Sequence, residues 1–331
     1  MRPRSPSEFL AKSGLPALLV TEPVNIRYLS GVSVSVGSLL ATPRRFLLLV
    51  DGRYRERAER SAVRGIKVLD VQESTKLLQQ FPQCGFEADR VTVSTKNGWK
   101  RYFPHTKFVQ TMGIVEGFRR AKDEEELRQI RRAHRVTREI LRRIPSALKV
   151  GTTEEQLARR LAIWALELGA DGLSFDPIVA FGTHTSHPHH SPTSRALRKG
   201  HLVQIDVGAK VRGYCADMSQ VFFTAKPTVQ QRLVYDVLCD VQKRAMAAAK
   251  AGVTNHALDR LARDMFKKAG MEHAFPHALG HGVGLEIHEG ITLSGKREKM
   301  ALLKNEVITI EPGVYFEGKF GMRVEEMVYV S

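Results

Sequence analysis

Two aspartates, Asp206 and Asp217, stand in the stretch 202–223, LVQIDVGAKVRGYCADMSQVFF, and their neighbours are largely apolar. Val203, Ile205 and Val207 flank the first, Val221–Phe223 follow the second, and Ala209–Gly213 between them reads as a turn-like insert. If the arms pair as an antiparallel hairpin turning near Val211–Arg212, the two aspartates oppose each other directly. Their Cβ atoms would then lie about 5 Å apart on one face. Two bare carboxylates that close in an apolar sheet repel, and one must take up a proton. A divalent cation removes the conflict. The blander alternative, one aspartate on a surface strand and one in a turn, fits the pair equally well on its own.

Two later stretches favour the cation. Residues 277–289, HALGHGVGLEIHE, place His277, His281 and His288 among glycines that allow backbone to come close to a ligand. Val307–Ile310 then runs into Glu311-Pro-Gly, and Gly321-Met-Arg-Val runs into Glu325, so each strand-like run ends on an acid. Asp206, Asp217, His281, Glu311 and Glu325 together offer four carboxylates and one imidazole, enough negative charge to balance two divalent cations. Oxygen-rich donors with one histidine and no thiolate favour Mn²⁺, Co²⁺ or Fe²⁺ over a structural zinc. The glycines around His277 and His281 argue against the paired histidines of a zinc helix. His281 and His288 are seven apart and would face opposite ways on an unbroken strand; a bulge or turn at Gly282 or Gly284 would reconcile them. A further histidine-dense loop, FGTHTSHPHHSP at 181–192, reads mainly as imidazoles facing water.

The ordered set Asp-x10-Asp, His-x3-His-x6-His, Glu-Pro-Gly and Arg-Val-Glu resembles the pita-bread metallopeptidases. Within them it is most similar to the Xaa-Pro dipeptidases (prolidases) and aminopeptidase P. Thr21–Gly31 and Leu49–Tyr54 resemble that subgroup's N-terminal domain, so the likeness spans nearly the whole chain. The resemblance implies an α+β protein: an α/β creatinase-type domain at 1–118, then a pita-bread catalytic domain at 119–331, with two related αβ halves around a curved antiparallel sheet. It implies a dinuclear exopeptidase that hydrolyses Xaa-Pro bonds of dipeptides or short peptides through a metal-bridging hydroxide. The metal ligands would be Asp206, Asp217, His281, Glu311 and Glu325, with Mn²⁺ the expected ion and Co²⁺, Fe²⁺ or Zn²⁺ the alternatives. Glu311 would also move the proton, while His189, His277 and His288 would contact substrate, His189 and His288 with a catalytic part. His189 is selected by its Pro-His-x-x-Pro context; His190 is its competitor.

Two departures stand out. Many prolidase-like members carry an arginine a few residues past the equivalent of His288, where it can grip a dipeptide's C-terminal carboxylate. Here HEGITL offers none, although Lys296 and Arg297 are close. Only six residues follow Glu325, which leaves the last sheet with less expected cover. The competing expectations are a methionine aminopeptidase-like peptidase with the same ligands, a metal-free creatine-hydrolysing relative, and a metal-free binding or scaffold protein. The intact five-ligand set weighs against the last two, and the N-terminal domain against the first.

Composition bounds the rest. With 331 residues, 43% hydrophobic and 26% charged, the chain can bury a core in each of two soluble domains. Cys84, Cys215 and Cys239 are scattered, which suits reducing conditions rather than a disulfide framework. Met1-Arg-Pro-Arg has no apolar run behind it, so no secretory signal is expected, and no stretch has the length to span a bilayer. These features point to the cytoplasm, with a homodimer expected and no membrane partner. The net charge of +16 invites a nucleic-acid reading, yet residues 146–331 hold 23 basic against 20 acidic side chains. The surplus lies outside the half with the motifs, so nucleic acid is not expected as a partner, although the charge could steer anionic peptides.

The elements that must position these residues are also visible. Ala17–Val20, Phe46–Val50, Ile66–Val71 and Phe86–Val93 read as strands, and Asp51–Ala62 and Thr95–Phe103 as helices. Asp123-Glu-Glu-Glu126 has capping-box spacing, and apolar residues recur behind it at helical spacing until Pro145. A second helix opens at Thr153 and reaches Gly169. Two more cover about Thr228–Lys250 and Thr254–Ala269, each followed by glycine.

Overall fold

The computed structural model describes residues 5–331, so the basic start at Met1–Arg4 lies outside the described residues. The chain divides into two compact units, one through Arg119 and one from Arg120.

Among the described residues the first unit is built on six strands: β1 (Leu18–Val20), β2 (Ser38–Ala41), β3 (Phe46–Val50), β4 (Ile66–Asp70), β5 (Gln83–Glu87) and β6 (Lys107–Thr111). They order as β4-β3-β2-β1-β5-β6, antiparallel at β1–β2 and β2–β3 and parallel at the other pairings. Every residue of β1 and β3 is buried, as continuous apolar runs require. The strand expected at Phe86–Val93 ends instead at Glu87. Thr92 caps the next helix, Val93–Tyr102, through its side chain, so the β-branched residues there belong to a turn and a helix start. Glu87 is itself buried and accepts the backbone N–H groups of Thr21 and Glu22 and the Asn25 amide, which fixes the helix Pro23–Ser30.

In the second unit the helix Glu124–Ala147 carries the expected capping box between Asp123 and Glu126. It continues past Pro145, which stands in the final turn, where a proline removes only one intrahelical bond. The helix Glu154–Glu167 has a second capping box, Thr153 with Gln156, and the helix Val229–Ala248 a third, Thr228 with Gln231. Thr254 caps the helix Asn255–Lys268, and Gly270 beyond it takes a left-handed φ of 71°.

Ten strands complete the unit: β7 (Gly172–Leu173), β8 (Ile178–Phe181), β9 (Leu202–Val207), β10 (Ala209–Val211), β11 (Tyr214–Cys215), β12 (Met218–Phe223), β13 (Val307–Ile310), β14 (Gly313–Phe316), β15 (Phe320–Arg323) and β16 (Glu326–Tyr329). They form the sheets β12-β9-β8 and β11-β10-β7 and the pairs β13-β16 and β14-β15. One core packs Ile140, Ile144, Leu157 and Leu161 of the first two helices against β8 and β9. The other packs Val234, Leu238, Leu258 and Phe266 of the last two against β13–β15. Two αβ halves result. They are joined by a side chain: the Gln204 amide on β9 accepts from Arg323 N at 2.8 Å and donates to Arg323 O at 3.1 Å. Glu325 N then donates to Ser219 O on β12. The candidate cation ligands converge on this seam.

The hairpin itself differs from expectation in register. Val211 pairs with Tyr214, so the turn is Arg212-Gly213, with φ of 45° and 74°, and not Val211-Arg212. Two successive positive φ values give the tight turn whose twist matches the strands. Asp206 therefore faces Ser219, two residues beyond Asp217. Asp217 lies in the break between β11 and β12, alongside Gly208. A Cβ at Gly208 would come within 1.9 Å of the Ala216 carbonyl oxygen, so only glycine lets the two arms approach here.

Candidate metal centre

Asp206 enters the centre from the middle of the seam. It is 8% exposed, and its Oδ2 accepts a 2.5 Å bond from the Arg323 guanidinium. Asp217 is 5% exposed and Glu325 4%, although both are carboxylates. Glu325 accepts from Ser219 Oγ at 2.9 Å. Asp206 Oδ1 and Asp217 Oδ1 are buried and have no hydrogen-bond partner among the described residues. Orphaned buried carboxylate oxygens are costly, and a cation is the ordinary remedy.

His281 completes the geometry. Its Nδ1 lies 3.1 Å from its neighbour's carbonyl, Gly282 O, which holds the proton on Nδ1 and leaves Nε2 as a donor of electrons. Nε2 lies 3.5 Å from Asp217 Oδ2 and 3.4 Å from Glu311 Oε1. Asp217, His281 and Glu325 each present a ligand atom within 4.8 Å of the others. Glu311 follows the last residue of β13, anchored by its N–H to Leu279 O, and Thr309 Oγ1 reaches its Oε1 at 3.4 Å. All five sequence-derived ligands thus line one cavity of about 680 Å³.

The electrostatics follow from this crowding. Burial, then the nearby Asp206 and Glu311 charges, push the Asp217 carboxyl well above its usual range. Burial and the Asp217, Glu311 and Asp206 charges do the same to Glu325. Burial raises Glu311 too, against the opposing pull of His281 and Arg323. Four carboxylates against one guanidinium leave a strongly negative pocket that protons or cations must neutralise.

The histidines frame the cavity. The chain turns back at Gly284, whose N–H donates to Glu286 O, and Glu289 N returns to Gly282 O. That excursion brings the His281 and His288 rings to 4.2 Å, edge to face, and so answers the parity problem of their seven-residue spacing. A Cβ on Gly282 would fall 2.1 Å from the Glu289 carbonyl oxygen. Burial and the His281 ring hold His288 down to about 4, so it is neutral at pH 7. His277 is also held near 4, chiefly by burial and then by Arg323, and its Nε2 stands 3.3 Å from Tyr315 Oη. His189 lines the cavity and is exposed to it, whereas its competitor His190 is turned to Glu154. Of the loop histidines expected to face water, His187 and His189 do, His184 is half-buried and the His190 side chain is buried.

Sequence reasoning gave no role to Arg323, the hub of the seam. Besides Asp206, its guanidinium donates to Ser219 Oγ at 2.9 Å and Tyr315 Oη at 2.7 Å. Its position two residues before Glu325 was the available signal, since alternate residues of an extended chain share a face. The pair Lys122–Glu289, 2.9 Å apart and almost fully buried, was also missed; it clamps the loop behind His288.

Two αβ halves with an acid-lined, histidine-framed seam define the pita-bread class of metal-dependent hydrolases. The model described as "Metallopeptidase family M24" matches residues 128–331, and that described as "Creatinase/Prolidase N-terminal domain" matches 6–121. An "Xaa-Pro dipeptidase" of Pyrococcus furiosus is 29% identical, covering 98% of this chain and 93% of that protein. The structure titled "Xaa-Pro dipeptidase from Bacillus anthracis" superposes with a TM-score of 0.94 at 28% identity, over 98% of this chain and 93% of that one. An X-Pro aminopeptidase structure from Thermotoga maritima gives 0.88 at 31%, over 96% and 93%. The chain belongs to metallopeptidase family M24 and carries a creatinase/prolidase-type N-terminal domain. Among the described residues no helix is long and apolar enough to cross a membrane.

Proposed function

We propose that this chain hydrolyses Xaa-Pro bonds of dipeptides and short peptides, using two divalent cations held by Asp206, Asp217, His281, Glu311 and Glu325, with Mn²⁺ the expected ion. The observation that carries the reading is the pair of orphaned, buried oxygens, Asp206 Oδ1 and Asp217 Oδ1, beside a histidine Nε2 and two further carboxylates. Residues 119–331 do the chemistry, and residues 1–118 are a supporting domain. Bound divalent cations would supply Lewis acidity and make a water ionisable near neutral pH.

The side chains perform the remaining steps. Glu311, as the carboxylate, takes a proton from the attacking water and delivers it to the leaving proline nitrogen. Water thus adds its oxygen to the acyl carbon, the C–N bond breaks, and the imino nitrogen gains its hydrogen. Neutral His288 donates an N–H to the carbonyl oxygen as negative charge develops there, and His189 steadies the scissile amide from the open side. His277 lines the wall nearby.

Substrate length is read at the rim. Arg297 lines the cavity although Thr292 stands nearer to His288 in sequence. Its segment is pinned by one helix start: Asn255 donates to Thr292 O and Glu298 O, His256 Nε2 lies 2.7 Å from Arg297 O, and Asp259 accepts from Gly295 N. An exposed guanidinium carried on a pinned backbone segment suits the free carboxylate of a short peptide. Assays of Ala-Pro, Ala-Pro-Pro and Met-Ala-Ser with added Mn²⁺ test the reading. Cleavage of the proline peptides supports it; cleavage of Met-Ala-Ser alone makes the chain a methionine aminopeptidase-like enzyme. A homodimer acting in the cytoplasm completes the proposal, and light scattering at twice the mass of one chain is the expected result.

A further inference from the structure

A second group of side chains able to hold a metal, Glu154, His184 and His190, reaches the same cavity through His190 and shares no residue with the carboxylate centre. Glu154 is the first residue of the helix Glu154–Glu167, and its carboxylate is fully buried. Its Oε1 stands 2.9 Å from His184 Nδ1 and its Oε2 2.9 Å from His190 Nε2. Phe181 N donates to Oε1, and Thr193 N and Oγ1 donate to Oε2, so the carboxylate is fixed in orientation from behind. Burial opposes ionisation here, but the bonds from His190, Thr193 and Phe181 outweigh it and hold the carboxyl below its ordinary value. The group is therefore an anion facing two imidazoles.

Three features suit a cation better than an isolated hydrogen-bond clamp. One nitrogen from each histidine and a carboxylate oxygen lie within 4.8 Å of one another, a span that one ion can bridge. The imidazoles are also crowded: the His184 and His190 rings are 4.6 Å apart, and the His187 ring lies 6.1 Å from that of His190. Among the described residues, Glu154 is the only hydrogen-bonding partner shown for the His184 and His190 side chains.

We propose that Glu154, His184 and His190 form a second metal site, selective for an ion of the Zn²⁺ class, with the His187 ring, 6.1 Å from that of His190, beside it. Two imidazoles and one carboxylate favour Zn²⁺, Ni²⁺ or Cu²⁺ over Mn²⁺, the reverse of the oxygen-rich centre across the cavity. Binding replaces each imidazole N–H bond to Glu154 by a bond to the ion, with the ring proton carried on the nitrogen that faces away from it. Because His189 is the residue before His190, a filled site stiffens the segment that presents His189 to the cavity.

The test uses the full chain with the carboxylate centre emptied by Asp217→Asn and His281→Ala. Titrating that variant with Zn²⁺ by calorimetry should show one equivalent bound, and X-ray absorption should show imidazole nitrogens around it. Adding His184→Ala, at a half-exposed position, should weaken this binding on the order of 100-fold, the upper end for loss of even an outer-shell partner. If the double variant does not fold, His184→Ala is placed alone in the otherwise unchanged chain. There it should lower bound Zn²⁺ by one equivalent and leave Mn²⁺ content unchanged. Absence of the extra equivalent, or its persistence at unchanged affinity in His184→Ala, overturns the proposal and leaves Glu154 a hydrogen-bond clamp.

Discussion

Asp217→Asn should change the stability of the protein with a sign that depends on whether metal is present. In the metal-stripped chain the Asp217 and Glu325 ligand atoms lie within 4.8 Å of each other in a buried pocket. At an effective dielectric near 20 that separation corresponds to a repulsion of about 3 kcal/mol. The amide keeps the shape and removes the charge, so in EDTA at pH 8 the variant should be more stable by about that much. For a unit of this size, that is an upward shift of roughly 6–12 °C. The raised carboxyl groups carry the same sign. Folded, metal-free protein holds protons that the unfolded chain has released, so its stability falls as pH rises from the usual carboxyl range, and Asp217→Asn should flatten that fall. With saturating Mn²⁺ the order should invert, because two ions bound to the folded state alone add about 2.7 kcal/mol each at a hundredfold excess over Kd, and a variant that holds neither forfeits more than the roughly 3 kcal/mol it gained. Differential scanning calorimetry in the two buffers reads both signs. A variant less stable than wild type in EDTA as well would refute the reasoning, since Asp217 would then be held by contacts rather than strained by charge.

Further outcomes follow from the same geometry. His288→Ala should lower kcat on the order of 100-fold or more while metal content by mass spectrometry stays unchanged; loss of metal would make His288 a ligand instead. Arg297→Ala should raise KM for Ala-Pro about tenfold, the loss expected for one charge-assisted hydrogen bond. It should leave the C-terminally amidated peptide nearly untouched; equal effects on both would remove Arg297 from carboxylate recognition. His277, held near 4, stays neutral while the unfolded chain takes up a proton below about 6.5. Its contribution to stability is therefore lost as pH falls from about 6.5 to 4, and His277→Phe, which can pack on Phe275 and Tyr315, should reduce that slope in denaturant titrations.

What the sequence revealed and what it hid have separate physical causes. Ligands, capping boxes and glycine stops are local signals, so Asp123, Thr153 and Thr228 open their helices where spacing placed them. Order along the chain was enough to nominate all five candidate ligands. Register is not local: two residues decided whether Asp206 faced Asp217 or Ser219, and the deciding facts were the Arg212-Gly213 turn and the close approach at Gly208. The seam is less local still, because Gln204 and Arg323 meet across 119 positions and nothing near either in sequence names the other. Strand β6, KFVQT, was overlooked because its residues are only partly buried or exposed and its apolar signal is weak.

The account rests on five side chains from both halves holding a pair of cations. Crystals grown with Mn²⁺ and measured at a wavelength where manganese scatters anomalously test this directly. The account predicts two anomalous peaks between Asp206, Asp217, His281, Glu311 and Glu325, each about 2.0–2.3 Å from its nearest carboxylate oxygens. No peak among these residues, or a single peak that leaves Asp206 Oδ1 or Asp217 Oδ1 uncoordinated, would contradict it.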